Sequence, residues 1–194
     1  MVKLIGFKKI NSAVFISGNG SNLENLLKSS IKKKSKFKVS LVISNNSKAK
    51  GLNFARMFKI KSKIINYRSP IFAENKILKL LKKENIDLIC LAGFMKILSK
   101  NFIKNFKGKI INIHPSLLPK YKGLNTHKRV LENKEKLSGC TVHFVSSKLD
   151  SGKIILQKKV KILKNDTPIS LSKRILKQEH ILYSTAIEKI YSNF

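Results

Sequence analysis

Acidic residues are scarce in this chain. Ten Asp and Glu stand against forty-one Lys and Arg, a formal net charge of +31 over 194 residues. Few carboxylates are available for acid–base work or metal binding, so each is worth locating. Cysteine is rarer still: Cys90 and Cys140 lie apart in apolar, strand-like runs with no CxxC spacing. That argues against a disulfide framework or a zinc ribbon, and buried free thiols are expected. HExxH and paired His/Asp spacings are also missing, so no metal site is expected. No apolar run approaches the roughly 18–20 residues of a membrane span. Met1 to Ile10 carries Lys3, Lys8 and Lys9 without the apolar core of a signal peptide. A cytoplasmic protein with no membrane partner is the expectation. Neither a Walker loop nor GxGxxG is present, which removes the common nucleotide fingerprints.

What is present points to a globular chain. Hydrophobic residues make up 42% of it, and the length suits a single domain over residues 1–194. The positive charge suggests nucleic acid when taken alone. Yet the lysines are spread along the whole chain among abundant Ile and Asn, a pattern that AT-rich codon usage produces. The densest cluster, Lys32-Lys33-Lys34 with Lys36 and Lys38, lacks the interleaved aromatics that stack single strands. Nucleic acid is not the expected partner, although so positive a field attracts small polyanions.

Apolar runs and turn residues divide the chain into alternating elements. Strands are expected at Ala13–Ser17, Phe37–Ser44, Lys63–Asn66, Asp87–Ala92 and Lys109–Ile113. Helical spacing falls at Leu23–Leu27, Lys48–Lys59, Ile71–Lys83 and Lys100–Phe106, the last capped by Ser99. This alternation predicts a doubly wound, mostly parallel α/β sheet with right-handed crossovers. Beyond it the period changes. A short helix at Thr126–Glu132 precedes two strands, Gly139–Val145 and Lys153–Leu163, joined by a turn containing Leu149-Asp150-Ser151-Gly152. These form an expected antiparallel C-terminal pair, and a helix starting at Asp166-Thr167-Pro168 runs to about Tyr191.

The stretch Ile110 to Gly123, IINIHPSLLPKYKG, draws attention because a strand ends abruptly in Asn112 and His114 before Pro115 and Pro119. Ligands of open α/β sheets bind at strand carboxyl ends. Residues i and i+2 of a strand share a side, so Asn112 and His114 can converge on one ligand atom. An amide and a protonated imidazole aimed at one point suit a developing oxyanion. A cationic imidazole needs a carboxylate nearby. Asp150, in its turn, is a candidate, and an ordinary turn aspartate fits the spacing as well. Of the other histidines, His143 alternates with apolar neighbours and either lines the site or packs in the core. His127 has the position of a helix start, and His180 that of a structural residue in an amphipathic helix. The turn Gly18-Asn19-Gly20-Ser21-Asn22 between strand and helix can present backbone N–H groups to an anion or be a plain tight turn.

Five blocks then carry a resemblance over nearly the whole chain: ISGNGSNLENLL (Ile16 to Leu27), DLICLAGFMKILS (Asp87 to Ser99), INIHPSLLPKYKGLNTHKRVLE (Ile111 to Glu132), GCTVHFVSSKLDSGKIILQ (Gly139 to Gln157) and QEH (Gln178 to His180). In order and content they resemble the phosphoribosylglycinamide formyltransferases, within the formyltransferase superfamily and its Rossmann-like fold. The resemblance implies formyl transfer from 10-formyltetrahydrofolate to the amine of glycinamide ribonucleotide in purine biosynthesis, without a metal. It implies catalytic roles for Asn112, His114 and Asp150. It implies a phosphate turn with Gly20, Ser21 and Asn22 at its core, and Glu179 at the glycinamide end. Met95, Lys96, Ile97 and Leu98, with Asn112, would contact the folate. Lys96 replaces the commoner arginine, Asn125 stands where many members carry histidine, and the arginine near the folate tail has no clear counterpart in Ile71–Lys83. The family includes monomers and homodimers. Three other readings remain: a methionyl-tRNA formyltransferase-like catalytic domain, a formyltetrahydrofolate deformylase, and a basic nucleic-acid-binding protein without catalysis. The first two families carry an additional domain that these 194 residues do not contain, and the third leaves the ordered blocks unexplained.

Overall fold

The computed structural model describes residues 9–191. Seven strands form one sheet in the order β3-β2-β1-β4-β5-β6-β7. They are β1 (Ile10–Ile16), β2 (Phe37–Ser44), β3 (Lys61–Ile64), β4 (Leu88–Leu91), β5 (Lys109–His114), β6 (Leu137–Phe144) and β7 (Ile154–Lys161). The first five pair in parallel, while β5–β6 and β6–β7 are antiparallel. Helices α1 (Ser21–Ser30), α2 (Gly51–Met57), α3 (Pro70–Lys83), α4 (Lys100–Asn105), α5 (Thr126–Glu132) and α6 (Pro168–Ile190) complete the chain. The α/β architecture with an antiparallel C-terminal pair and a C-terminal helix is as the sequence predicts.

The period of two along each strand builds a core on either face of the sheet. Val14, Ile16, Val42, Cys90, Ile111 and Val142 pack with α1, α2, α5 and α6. Their neighbours Ala13, Phe15, Ile43, Ile89, Leu91 and Ile110 pack with α3 and α4. Both thiols are free and buried.

Three boundaries differ from the sequence reading, each for a local reason. β1 begins at Ile10 because polar Asn11 and Ser12 are bonded in place: Asn11 N–H donates to Asp87 and the Ser12 hydroxyl to Lys38 O. α2 begins at Gly51, not Lys48, because the Asn46 carboxamide takes the Lys48 N–H and Gly51 N–H donates back to Gly18 O. β3 is Lys61–Ile64, two residues early; as a solvated edge strand it shows no apolar alternation. Ser99 does cap α4, accepting from Phe102 N–H.

Candidate active site

Three loops at the carboxyl ends of β1, β4 and β5 meet the β6–β7 turn around a cleft of about 930 Å³. Its centre is the end of β5. Asn112 and His114 share the side of β5 that faces away from Ile111 and Ile113. Antiparallel pairing sets His143 directly across from Asn112. The His143 ring lies 2.9 Å from Phe144 O through Nδ1 and 3.2 Å from Asn112 Nδ2 through Nε2. A carbonyl only accepts, so Nδ1 carries the proton, and Nε2 is left to accept from the asparagine amide. Burial pushes the His143 pKa down, which keeps that lone pair available. One Asn112 N–H is thus tied to His143, and the second remains for a ligand.

His114 is held as tightly. Its Nε2 donates to Tyr121 O at 2.8 Å, which leaves Nδ1 as the nitrogen facing the cleft and Asp150. Nδ1 stands 3.4 Å from Asp150 Oδ2, and both side chains are almost fully buried. The same carboxylate accepts from Gly123 N–H at 2.9 Å and reaches within 3.7 Å of His143 Nε2. Asp150 therefore bolts the β6–β7 turn to the β5–α5 loop. It does so from a left-handed backbone (φ 45°) that aspartate tolerates better than most residues.

The β5–α5 loop is itself stitched down. Thr141 Oγ1 donates to Ser116 O and accepts from Leu118 N–H, and Gln157 donates to Leu118 O. Tyr121 is left-handed (φ 57°), an expensive conformation for a bulky residue. Its ring is gripped by Arg129, and its hydroxyl donates to Glu135. The conformation turns the Tyr121 carbonyl to His114.

On the α1/α6 side of the sheet, Gly20 caps α1 from a left-handed conformation (φ 77°), and no side chain caps the helix. The amides of its first turn are left for a ligand. A Cβ at Gly20 would lie 2.5 Å from Gly51 Cα, so the turn requires glycine twice over. Beside it, buried Glu179 accepts from Asn22 Nδ2 at 2.7 Å. Burial raises the Glu179 carboxyl pKa, and the Asn22 bond partly offsets this. Asn22 Oδ1 is buried with no partner.

A family model described as formyl transferase matches residues 10–187. The chain belongs to the formyl transferase family. A phosphoribosylglycinamide formyltransferase of Escherichia coli is 39% identical over 92% of this chain and 85% of its own length. The solved phosphoribosylglycinamide formyltransferase of Anaplasma phagocytophilum superposes with a TM-score of 0.91 at 42% identity, covering 96% of this chain and 88% of that one. A human trifunctional purine biosynthetic protein, adenosine-3, is 42% identical over 95% of this chain, which spans about a fifth (19%) of that protein's length.

In this formyl transferase the β4–α4 loop forms the cleft wall on the α3/α4 side. It is fixed at both ends: Ser17 N–H donates to Gly93 O and Met95 N–H to Ser17 Oγ, while buried Glu74 accepts from the Ser99 N–H and hydroxyl. Leu98 is buried, but Met95 (63% exposed) and Ile97 (75%) stand open at the rim, opposite Leu124 and Leu149. Such apolar lips suit a flat ring system.

The structure thus brings Asn112, His114 and Asp150 together, with Asn22, Glu179 and Met95 to Leu98 lining the same cleft. Gly20 and Ser21 stand at its α1 end. His127, read as a helix start, also lines the cleft and buries an unpartnered Nδ1; burial and nearby His114 lower its pKa. His180 is half-buried with Nε2 unpartnered. Asn125 caps α5 from a left-handed conformation (φ 56°) without a side-chain cap bond. Tyr121, Gly123, Ser17 and Glu74 were not foreseen. The first three act here through backbone or hydroxyl groups, and Glu74 acts across two helices, none of which leaves a local sequence signal. For His143 the signal was its place in an alternating strand. Among the described residues no cluster of metal-ligating side chains occurs.

Proposed function

We propose that residues 1–194 act as one catalytic unit that transfers the formyl group of 10-formyltetrahydrofolate to the amine of glycinamide ribonucleotide. The observation that carries this reading is the buried pair of His114 and Asp150 next to the free amide hydrogen of Asn112, at the centre of a cleft with two unlike sides. One side offers backbone donors and a lone carboxylate, suited to a phosphate and an amine. The other offers apolar lips and unpaired loop backbone, suited to a pterin.

In this mechanism the α1 turn, with Gly20, Ser21 and Asn22, holds the phosphate. Glu179 holds and orients the glycinamide end. The amine attacks the formyl carbon, and negative charge moves onto the formyl oxygen. Asn112 Nδ2–H and protonated His114 Nδ1–H stabilise that oxyanion, a contact worth on the order of 3 kcal/mol for each donor lost. Asp150 balances the imidazolium charge and, through water, takes the proton that the amine sheds. Protonation of the folate nitrogen and collapse of the intermediate release tetrahydrofolate. His143 holds the Asn112 amide with its N–H groups toward the cleft. Met95, Lys96, Ile97 and Leu98 hold the pterin, by backbone and apolar contact.

Purified protein supplied with 10-formyltetrahydrofolate and glycinamide ribonucleotide is expected to release tetrahydrofolate in proportion to the formylated product. No release at any pH between 6 and 9 would refute the proposal.

A further inference from the structure

A second hollow, of about 530 Å³, lies at the carboxyl ends of β1, β2 and β3. It is separate from the catalytic centre but shares Met95 and Lys96 with the main cleft. Its size falls in the roughly 300–1,000 Å³ range of small-ligand sites.

The lining has a one-sided chemistry. Ser17, Asn45, Asn46, Ser47, Asn66 and Lys96 supply every polar side chain, and no carboxylate is among them. Two of the amides are locked in orientation. Asn45 Oδ1 accepts the Ser17 hydroxyl, and Asn66 Oδ1 accepts Arg68 N–H at 2.8 Å. With the oxygens committed inside the protein, each residue offers its Nδ2 hydrogens, which have no partner among the described residues. Asn46 is held at both ends, by Ser17 O and Lys48 N–H. The Ser17 hydroxyl that fixes Asn45 also accepts Met95 N–H, so this hollow and the cofactor loop share one support. The result is a set of amide donors beside an ammonium group, the chemistry of a carboxylate site.

We propose that this hollow binds the distal carboxylates of a polyglutamylated formyl donor, whose γ-linked tail leaves the main cleft past Lys96. The inference rests on the formyl-transfer reading for its ligand, and it deepens that reading by assigning the donor's form. Each added glutamate carries one carboxylate. The hollow supplies donors for them without opposing charge.

The test uses Asn45→Asp and Asn66→Asp, singly and together. Each keeps the oxygen that accepts the internal hydrogen bond and replaces the offered donor by an anionic oxygen. Lys33→Gln, in the remote connection before β2, changes the net charge by the same single unit and controls for the overall field. The wild-type protein is expected to show kcat/KM roughly tenfold higher for the triglutamate than for the monoglutamate donor, equivalent to about 1.4 kcal/mol. The double variant is expected to lose that preference while keeping its monoglutamate kcat/KM within about twofold. Lys33→Gln is expected to keep the preference. Calorimetric titration with a γ-linked triglutamate peptide reads the hollow without catalysis. It should show binding to the wild-type chain that the double variant loses.

Equal kcat/KM for the two donors in the wild type would overturn the proposal. So would a preference that survives in the double variant, or one lost equally in Lys33→Gln. If no formyl transfer occurs with either donor, the formyl-transfer reading fails, and the peptide titration still decides whether the hollow is a carboxylate site.

Discussion

The two halves of the sheet support the cleft by different means. In the parallel half, β1 and β4 end in turns whose contribution is mostly backbone: the open first turn of α1 after Gly20, and the loop Gly93–Leu98 pinned by Ser17 and Glu74. In the antiparallel half, β5 and β6 contribute titratable side chains, with His143 across from Asn112 and Asp150 returning from the β6–β7 turn to His114. Parallel strands all point their carboxyl ends one way and leave loops there. An antiparallel partner brings a neighbouring strand's interior to the same level, so a side chain can face the end of β5 at strand precision. On this comparison, binding belongs to the parallel half and chemistry to the antiparallel half.

The largest effect is therefore expected from Asp150→Asn. The carboxamide keeps the Gly123 N–H bond through its oxygen but presents no charge to His114. We expect kcat to fall by on the order of 10²–10⁴-fold, the range of a lost acid–base group, with KM for both substrates within a few-fold. Steady-state kinetics checks it; near-normal turnover would place the chemistry elsewhere.

Next comes His143→Ala, which removes the acceptor that orients Asn112 while leaving every proposed oxyanion donor in place. Loss of one neutral hydrogen bond, about 1–1.5 kcal/mol, should lower kcat roughly tenfold. His143→Gln, able to accept from Asn112 through its amide oxygen, should recover part of it. An equal loss in both variants would mean that His143 contributes packing alone.

Much of this comparison was visible in the sequence, and the missing parts share a cause. Continuous apolar runs such as Leu88–Leu91 identify central strands because both faces are buried. Asn112 and His114 announce themselves by interrupting such a run. The Asp150 pairing with His114 depends on how two distant loops fold over each other, and turn chemistry alone left an ordinary aspartate equally acceptable. The role of Tyr121 was less legible still. A main-chain carbonyl fixes the His114 tautomer, and any residue holding φ near 57° could present it. What marks this position is the grip of Arg129 and Glu135 on the ring, a tertiary fact. The edge strand β3 lacks a pattern because neither of its faces is well buried.

In the parallel half, Gly20→Ala should act on binding and stability together. The new Cβ meets Gly51 Cα at 2.5 Å and the backbone is left-handed, so the α1 turn must shift. We expect destabilisation of at least about 1 kcal/mol, which corresponds to roughly 2–4 °C in Tm for a chain of this size. KM for the nucleotide should rise more than kcat falls. A kcat loss with unchanged KM would contradict the assignment of this turn to phosphate.

The smallest effect tests the one titratable group on the parallel side of the cleft. Burial raises the Glu179 pKa above its ordinary value of 4.5. Below pH 4.5 the group is protonated in the folded and unfolded chains alike and contributes no difference. As pH rises, the unfolded chain ionises first, and stability falls until the folded carboxyl also ionises, then levels off. Glu179→Gln removes this loss and can keep the Asn22 bond through its amide oxygen. The variant's Tm, followed between pH 4 and 8, should match the wild type at the acid end and exceed it by a few degrees above the raised pKa. Its KM for glycinamide ribonucleotide should rise over the same range, since the carboxylate that destabilises the free protein is the one proposed to meet the substrate amine. A Tm difference that does not change with pH would show that Glu179 is ionised at no cost. In that case the parallel half would hold its substrate by geometry alone.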